Sequence, residues 1–212
     1  MPASAQPSAQ LPVVILPGFH APALTDQFVR SLPSYTRHFV IEAFPTDPLA
    51  VCNWLQAHFP LSANQPPAQR QVPLVGIGFS AGAVGLAGGL AMWQQTGGLV
   101  ARVIAVDGWG VPVVGLPVTR ISHDRFTHVS TLPLGAGDVN FYAKPAVPHL
   151  QLWREPEAVA GLEVRGWQSS LGLAGLGLTR STEGVSMTAA SFLRRSLHAE
   201  WNAAFNWRTA LS

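Results

Sequence analysis

Ser80 stands at the centre of Gly78-Phe79-Ser80-Ala81-Gly82, a pattern of residue types suited to covalent acyl chemistry. A serine hydroxyl is a weak nucleophile at neutral pH, and it must be presented to a base and to a carbonyl group at once. A sharp turn from a strand into a helix does this by lifting Oγ clear of its neighbours. Small residues two positions to either side let the chain turn that tightly. The start of the new helix also aims the Ala81 N–H at negative charge developing on a carbonyl oxygen. The flanks agree with this reading. Val72–Phe79 is an uncharged run of strand length, and the segment from Ser80 to about Gln95 reads as a helix rich in small residues (Ala83, Gly85, Ala87, Gly88, Gly89).

The elements that must hold this turn can be read on both sides of it. Leu11–Leu16 is a buried-strand pattern closed by Pro17-Gly18, and His38–Glu42 is a second strand. A short helix over Asp26–Ser31 lies between them, with Thr25 as its cap. Asp47-Pro48 opens a longer helix that ends at Pro60, with Asp47 as N-cap and Pro48 in its first turn. Val103–Val106 is a fourth strand ending at Asp107. A Gly- and Pro-rich excursion follows to about Asp124, and its uncharged part, Gly108 to Arg120, has the position of a lid. Phe126–Leu134 is expected as a fifth strand. Gly161–Gly184 has no clear period, and Ser186–Leu197 is a final helix. Alternating uncharged strands and helices predict an α/β fold: a mostly parallel central sheet covered by helices on both faces.

The stretch from Gly137-Asp138-Val139 to Pro148-His149-Leu150 resembles the acid-to-histidine segment of cutinases. With the Ser80 turn and the small size, it resembles the central third of a compact α/β-hydrolase. The single cysteine departs from the disulfide-bonded cutinases. The whole chain, including Val106-Asp107-Gly108-Trp109-Gly110 and Ser122-His123-Asp124, is similar to uncharacterised cyanobacterial α/β-hydrolase proteins. The resemblance implies that an acid and a histidine follow Ser80 in that order. His149, after a strand and an irregular stretch, is the best-placed histidine; His123 stays possible in its loop. His128 and His198 fall inside predicted elements. Asp138 is favoured as the acid, narrowly, over Asp107 at the end of the fourth strand. The resemblance also implies a second oxyanion donor after the first strand. In Leu16-Pro17-Gly18-Phe19-His20 that donor is the Phe19 N–H, with Ala81 as its partner.

Composition narrows the remaining classes. Apolar residues make up 48% of the 212 and charged residues 11%, the balance of a chain that buries a core rather than a disordered one. The net charge is only +2 and no basic run occurs, so a nucleic-acid partner has no electrostatic support. Cys52 is the one cysteine, which favours a reducing, cytoplasmic setting. Residues 1–10 read as a flexible tail without a basic n-region, and residues 11–212 as one domain. The uncharged stretch around Ser80 is broken by glycines and reads as strand, turn and helix rather than a transmembrane segment. His123-Asp124 with His128 matches no zinc spacing, so no metal is expected.

The expected activity is therefore cleavage of a small-molecule carboxylic ester or thioester through an acyl-enzyme on Ser80, without a cofactor. Transfer of the acyl group to an alcohol or amine would use the same residues. The contrasting possibility is a catalytically silent protein of this fold that binds a lipid or a protein partner. Among seven tryptophans, Trp109, Trp153 and Trp167 are candidates to line an apolar acyl site.

Overall fold

The computed structural model describes residues 10–61, 73–165 and 184–209. These residues form one eight-stranded sheet in the order β2-β1-β3-β4-β5-β6-β7-β8. Its strands are β1 (Leu11–Leu16), β2 (Thr36–Val40), β3 (Leu74–Phe79), β4 (Val100–Val106), β5 (Val118–Ser122), β6 (Val139–Ala143), β7 (Ala160–Arg165) and β8 (Val185–Thr188). From β2 through β6 neighbouring strands are parallel, and β7 and β8 close the far edge in antiparallel pairing. The helices are α1 (Pro22–Arg30), α2 (Pro48–His58), α3 (Gly82–Gln95), α4 (Arg125–Thr131), α5 (Gln151–Arg154) and α6 (Ala189–Thr209).

The strands read as unbroken apolar runs because both faces are covered. Val13 and Ile15 of β1 pack with Phe28 of α1, Trp153 of α5 and Phe192 and Leu193 of α6. Val14 and Leu16, pointing the other way, pack with Val51 and Leu55 of α2 and Leu86 and Leu90 of α3. The architecture is thus α/β with helices on both faces of a mostly parallel sheet. The order of strands reverses at β1, since β2 lies to one side of it and β3 to the other. Connections leave β1 and β3 in opposite directions, and a cavity opens beyond the C-terminal ends of β3, β4 and β5.

Two helix starts follow from the sequence. Asp47 Oδ1 accepts the N–H groups of Leu49 and Ala50, both at 3.0 Å, as its N-cap position predicts. At the start of α3, the reason for glycine at both ends of the serine turn is closeness. A Cβ on Gly82 would lie 2.2 Å from the Leu16 carbonyl oxygen, and one on Gly78 would lie 2.7 Å from Ala83 Cα. Farther along α3 the small side chains admit α2 and its entry loop as well as the sheet: a Cβ on Gly89 would strike Val51 at 2.4 Å.

Several expectations are corrected. Phe126–Leu134 is not a strand. Asp124 Oδ1 accepts the Thr127 N–H at 2.6 Å and caps α4, and Leu132–Leu134 continues as a single 3-10 turn. Burial of Thr127, His128, Thr131 and Leu132 follows a helical spacing that its β-branched composition obscures. The true fifth strand, Val118–Ser122, lies inside the expected excursion, and β6 follows where none was expected. The final helix begins after a short strand, at Ala189 rather than Ser186. Trp167, most of the N-terminal tail, and most of the Gly- and Leu-rich stretch lie outside the described residues. Among the described residues no helix is long and apolar enough to cross a membrane; α3 has only 14 residues.

Candidate active site

The crevice beyond the parallel strands gathers the chemistry-bearing residues at one edge of the sheet. Phe79 pairs in register with Val106, and Val106 with Ile121, so Ser80 and Asp107 each follow the end of a neighbouring strand. The ladder runs one residue further, because the Ser80 N–H donates to Val106 O and the Asp107 N–H to Ile121 O, both at 2.8 Å. Immediately afterwards both residues take left-handed backbone conformations, with φ of 52° at Ser80 and 48° at Asp107. Such a conformation costs a non-glycine residue about 1–3 kcal/mol. The ladder on one side and the packed connections on the other hold it in place.

Asp107 is buried, and three donors converge on its carboxylate. Oδ1 accepts the backbone N–H of His123 at 2.8 Å. Oδ2 accepts from His149 Nδ1 at 2.8 Å and from His123 Nδ1 at 3.0 Å. An ionised carboxylate only accepts, so in this arrangement each imidazole carries its proton on Nδ1 and turns Nε2 outward. The two rings meet edge to face, with centroids 5.8 Å apart. Hydrogen bonding to Asp107 holds the His123 pKa above its ordinary value, against the opposing effect of burial. The charges of Asp107 and Asp124 act in the same upward direction.

His149 is positioned from several sides. Its ring stacks on Phe79, the residue before Ser80, with centroids 4.9 Å apart. It directly precedes the α5 region, where Trp153 stacks on Phe28 at 3.8 Å and also meets Phe79 and His20. The Val147 N–H donates to His123 O at 3.1 Å, which ties the loop after β6 to the loop after β5.

Ser80, Asp107, His123 and His149 all line one cavity of about 390 Å³. Val84, Trp109, Val111 and Phe126 supply its apolar wall, and Asp124 and Thr127 add polar groups. Trp109 and Phe126 are largely exposed, as is Phe19 across the serine turn. The wall carrying Trp109 is tethered from beneath. Arg120, buried within β5, donates to Val111 O at 2.8 Å, Gly108 O at 3.4 Å, Gly135 O at 2.7 Å and Leu134 O at 3.0 Å. Burial without a carboxylate partner lowers its pKa to about 10. The start of the excursion expected as a lid is therefore pinned to β5 through the Gly108 and Val111 carbonyls.

The β1 loop approaches the same serine. A Cβ on Gly18 would lie 3.2 Å from Ser80 Cβ and 2.8 Å from Phe79 O. Among the described residues, neither the Phe19 nor the Ala81 backbone N–H has an acceptor. Of the sequence-derived site residues, the structure thus brings together Ser80, Ala81, His149 and Asp107, with Phe19 on the adjoining loop. It does not bring Asp138 to them. Asp138 is exposed and precedes β6, so it lies at the N-terminal edge of a parallel strand, opposite the edge where Ser80 sits. The misplacement follows from reading α4 as a strand, which shifted the expected acid loop onward by one element. Trp109 lines the cavity; Trp153 is buried behind it.

Sequence reasoning did not find that His123 shares Asp107 with His149. The available signal was Ser122-His123-Asp124 directly after the β-branched run of β5. Asp107, His123 and His149 are the three side chains among the described residues that converge closely enough to hold a cation. Both Nδ1 atoms sit at hydrogen-bond distance from one oxygen of the buried Asp107 carboxylate. No known family model matches this chain, and no curated protein is similar to it.

Proposed function

We propose that this protein is a serine hydrolase of the α/β-hydrolase kind, with Ser80 as nucleophile, His149 as general base and Asp107 as the acid. The observation that carries this reading is the 2.8 Å bond from His149 Nδ1 to the buried Asp107, with His149 and Ser80 lining one cavity. Asp107 fixes the tautomer that leaves His149 Nε2 free to accept a proton, and it stabilises the imidazolium that forms. As the Ser80 Oγ–H proton passes to Nε2, Oγ bonds to the carbonyl carbon of an ester or thioester. The carbonyl oxygen becomes an oxyanion facing the Phe19 and Ala81 N–H groups, each worth about 3 kcal/mol of barrier. Collapse of this intermediate breaks the bond to the leaving group, which takes the proton from His149. Water, activated by the same histidine, then cleaves the acyl-enzyme.

The apolar wall of Val84, Trp109, Val111 and Phe126 suits an apolar acyl or aryl group and a small-molecule substrate. No step requires a cofactor. The single buried Cys52 suits a reducing compartment such as the cytoplasm. The test is hydrolysis of p-nitrophenyl esters of increasing acyl length. The reading predicts turnover that Ser80→Ala abolishes. Turnover that survives in Ser80→Ala contradicts it.

A further inference from the structure

The mechanism above uses one histidine on Asp107, yet the structure has two. His123 reaches that carboxylate twice, through its backbone N–H to Oδ1 and through Nδ1 to Oδ2, the same oxygen that holds His149. One buried negative charge therefore serves two imidazoles whose centroids are 5.8 Å apart. We propose that His123 is a positioning residue of the Ser80 site, one that fixes the Asp107 carboxylate and whose own proton governs how much of its charge supports His149. The proposal rests on the Ser80–His149–Asp107 reading.

The geometry dictates the consequence. A neutral His123 only orients Asp107. A protonated His123 lies beside that carboxylate, partly cancels its charge, and repels the imidazolium that His149 must become in the transition state. The groups facing His123 are Asp107 from the end of β4, His149 from the loop before α5, and Asp124, with its Oδ2 3.6 Å from His123 Nε2. His149 is faced by Asp107, by His123 and by His20 from the β1 loop, whose pKa is lowered first by burial and then by the charge of His149. Its two carboxylate neighbours, Asp107 and Asp124, favour the charged form of His123. As His123 charges, the rate should suffer a partial loss.

The rate of Ser80 labelling by a fluorophosphonate, measured against pH, reads this without a known substrate. In the wild type the acid limb should contain a step, the charging of His123, that lowers the rate by roughly three- to tenfold. His123→Asn keeps an amide donor without the charge; its limb should lack that step. Its plateau rate should exceed that of His123→Ala, which keeps neither. Proton NMR gives an independent reading at the same carboxylate. Two downfield imidazole N–H signals are expected in the wild type, with one lost in His123→Asn. An acid limb that superimposes in wild type and His123→Asn overturns the proposal, as does a single downfield signal in the wild type. Absence of any Ser80 labelling in the folded wild type removes the hydrolase reading itself, and the proposal with it.

Discussion

Ser80 and Asp107 end neighbouring parallel strands in the same left-handed backbone conformation, at φ 52° and 48°. Each is held by a ladder hydrogen bond to the next strand, Ser80 to Val106 O and Asp107 to Ile121 O. Repeating one strained turn on adjacent strands aims two side chains out of the same sheet edge, and His149 reaches the second of them at 2.8 Å. Strain of this kind persists where surrounding structure over-determines it.

The acid assignment makes a direct prediction. Asp107→Asn should lower kcat/KM for a p-nitrophenyl ester by about 10³- to 10⁴-fold, since the amide no longer selects the productive tautomer of His149. Asp138→Asn, at the opposite edge of the sheet, should leave it within about twofold. Steady-state kinetics of the two variants separate the candidates.

The tightness of the serine turn is also measurable. A methyl group on Gly82 would collide with the carbonyl oxygens of Leu16 and Pro17, at 2.2 and 2.5 Å. Backbone must move to admit it, so Gly82→Ala should lose about 1–3 kcal/mol or more in urea unfolding. A value near zero would mean that β1 and α3 do not pack this closely.

His128 predicts a pH dependence of stability that is unrelated to activity. It is fully buried, stacks on Tyr142, and neither ring nitrogen has a hydrogen-bond partner among the described residues. Burial, reinforced by the charges of Arg125 and Arg120, lowers its pKa from 6.5 to about 4. Above pH 6.5 both folded and unfolded forms are neutral at this site. Between 6.5 and 4 the unfolded chain takes up the proton and the folded one does not, so stability falls as the pH drops. The loss should approach about 3 kcal/mol by pH 4. His128→Phe should flatten this part of the curve, as read by urea midpoints across the range.

Arg120 predicts a coupling between stability and the cavity wall. Replacing it with Met leaves the carbonyls of Val111 and Gly135 without their donor and takes one of two donors from the Leu134 carbonyl, which should cost about 2–4 kcal/mol. The same change frees the segment carrying Trp109, so amide exchange at Val113, bonded to Leu134 O at 2.8 Å, should speed up. Unchanged exchange would mean that the wall is held by other contacts.

The parts of this architecture that local chemistry dictates were legible in the sequence. Leu11–Leu16 and the β3–turn–α3 unit follow from uncharged runs and glycine placement, and the Asp47 cap from a single residue pair. That His149 would lie near Ser80 was legible from its place in the chain, and both line one cavity. The parts that depend on tertiary context were not. Val118–Ser122 carries Thr119, Arg120 and Ser122, polar residues that read as a loop until Arg120 is seen buried on backbone carbonyls. Phe126–Thr131 has the composition of a strand, yet it folds as a helix capped by Asp124 with Thr127, His128 and Thr131 buried on one face. Once that element was misread, the expected acid loop fell at Asp138, whereas the carboxylate beside His149 is that of Asp107. The sharing of Asp107 by two histidines joins residues 42 positions apart on one side and 16 on the other, and no local pattern encodes it.

Locating a fluorophosphonate adduct by mass spectrometry shows whether Ser80 is an activated nucleophile. One phosphonylated peptide is expected, containing Ser80, with its formation strongly slowed in His149→Ala and Asp107→Asn and unaffected in Asp138→Asn. An unmodified Ser80 in folded protein, or labelling that persists without His149, would contradict the assignment of Ser80 as an activated nucleophile.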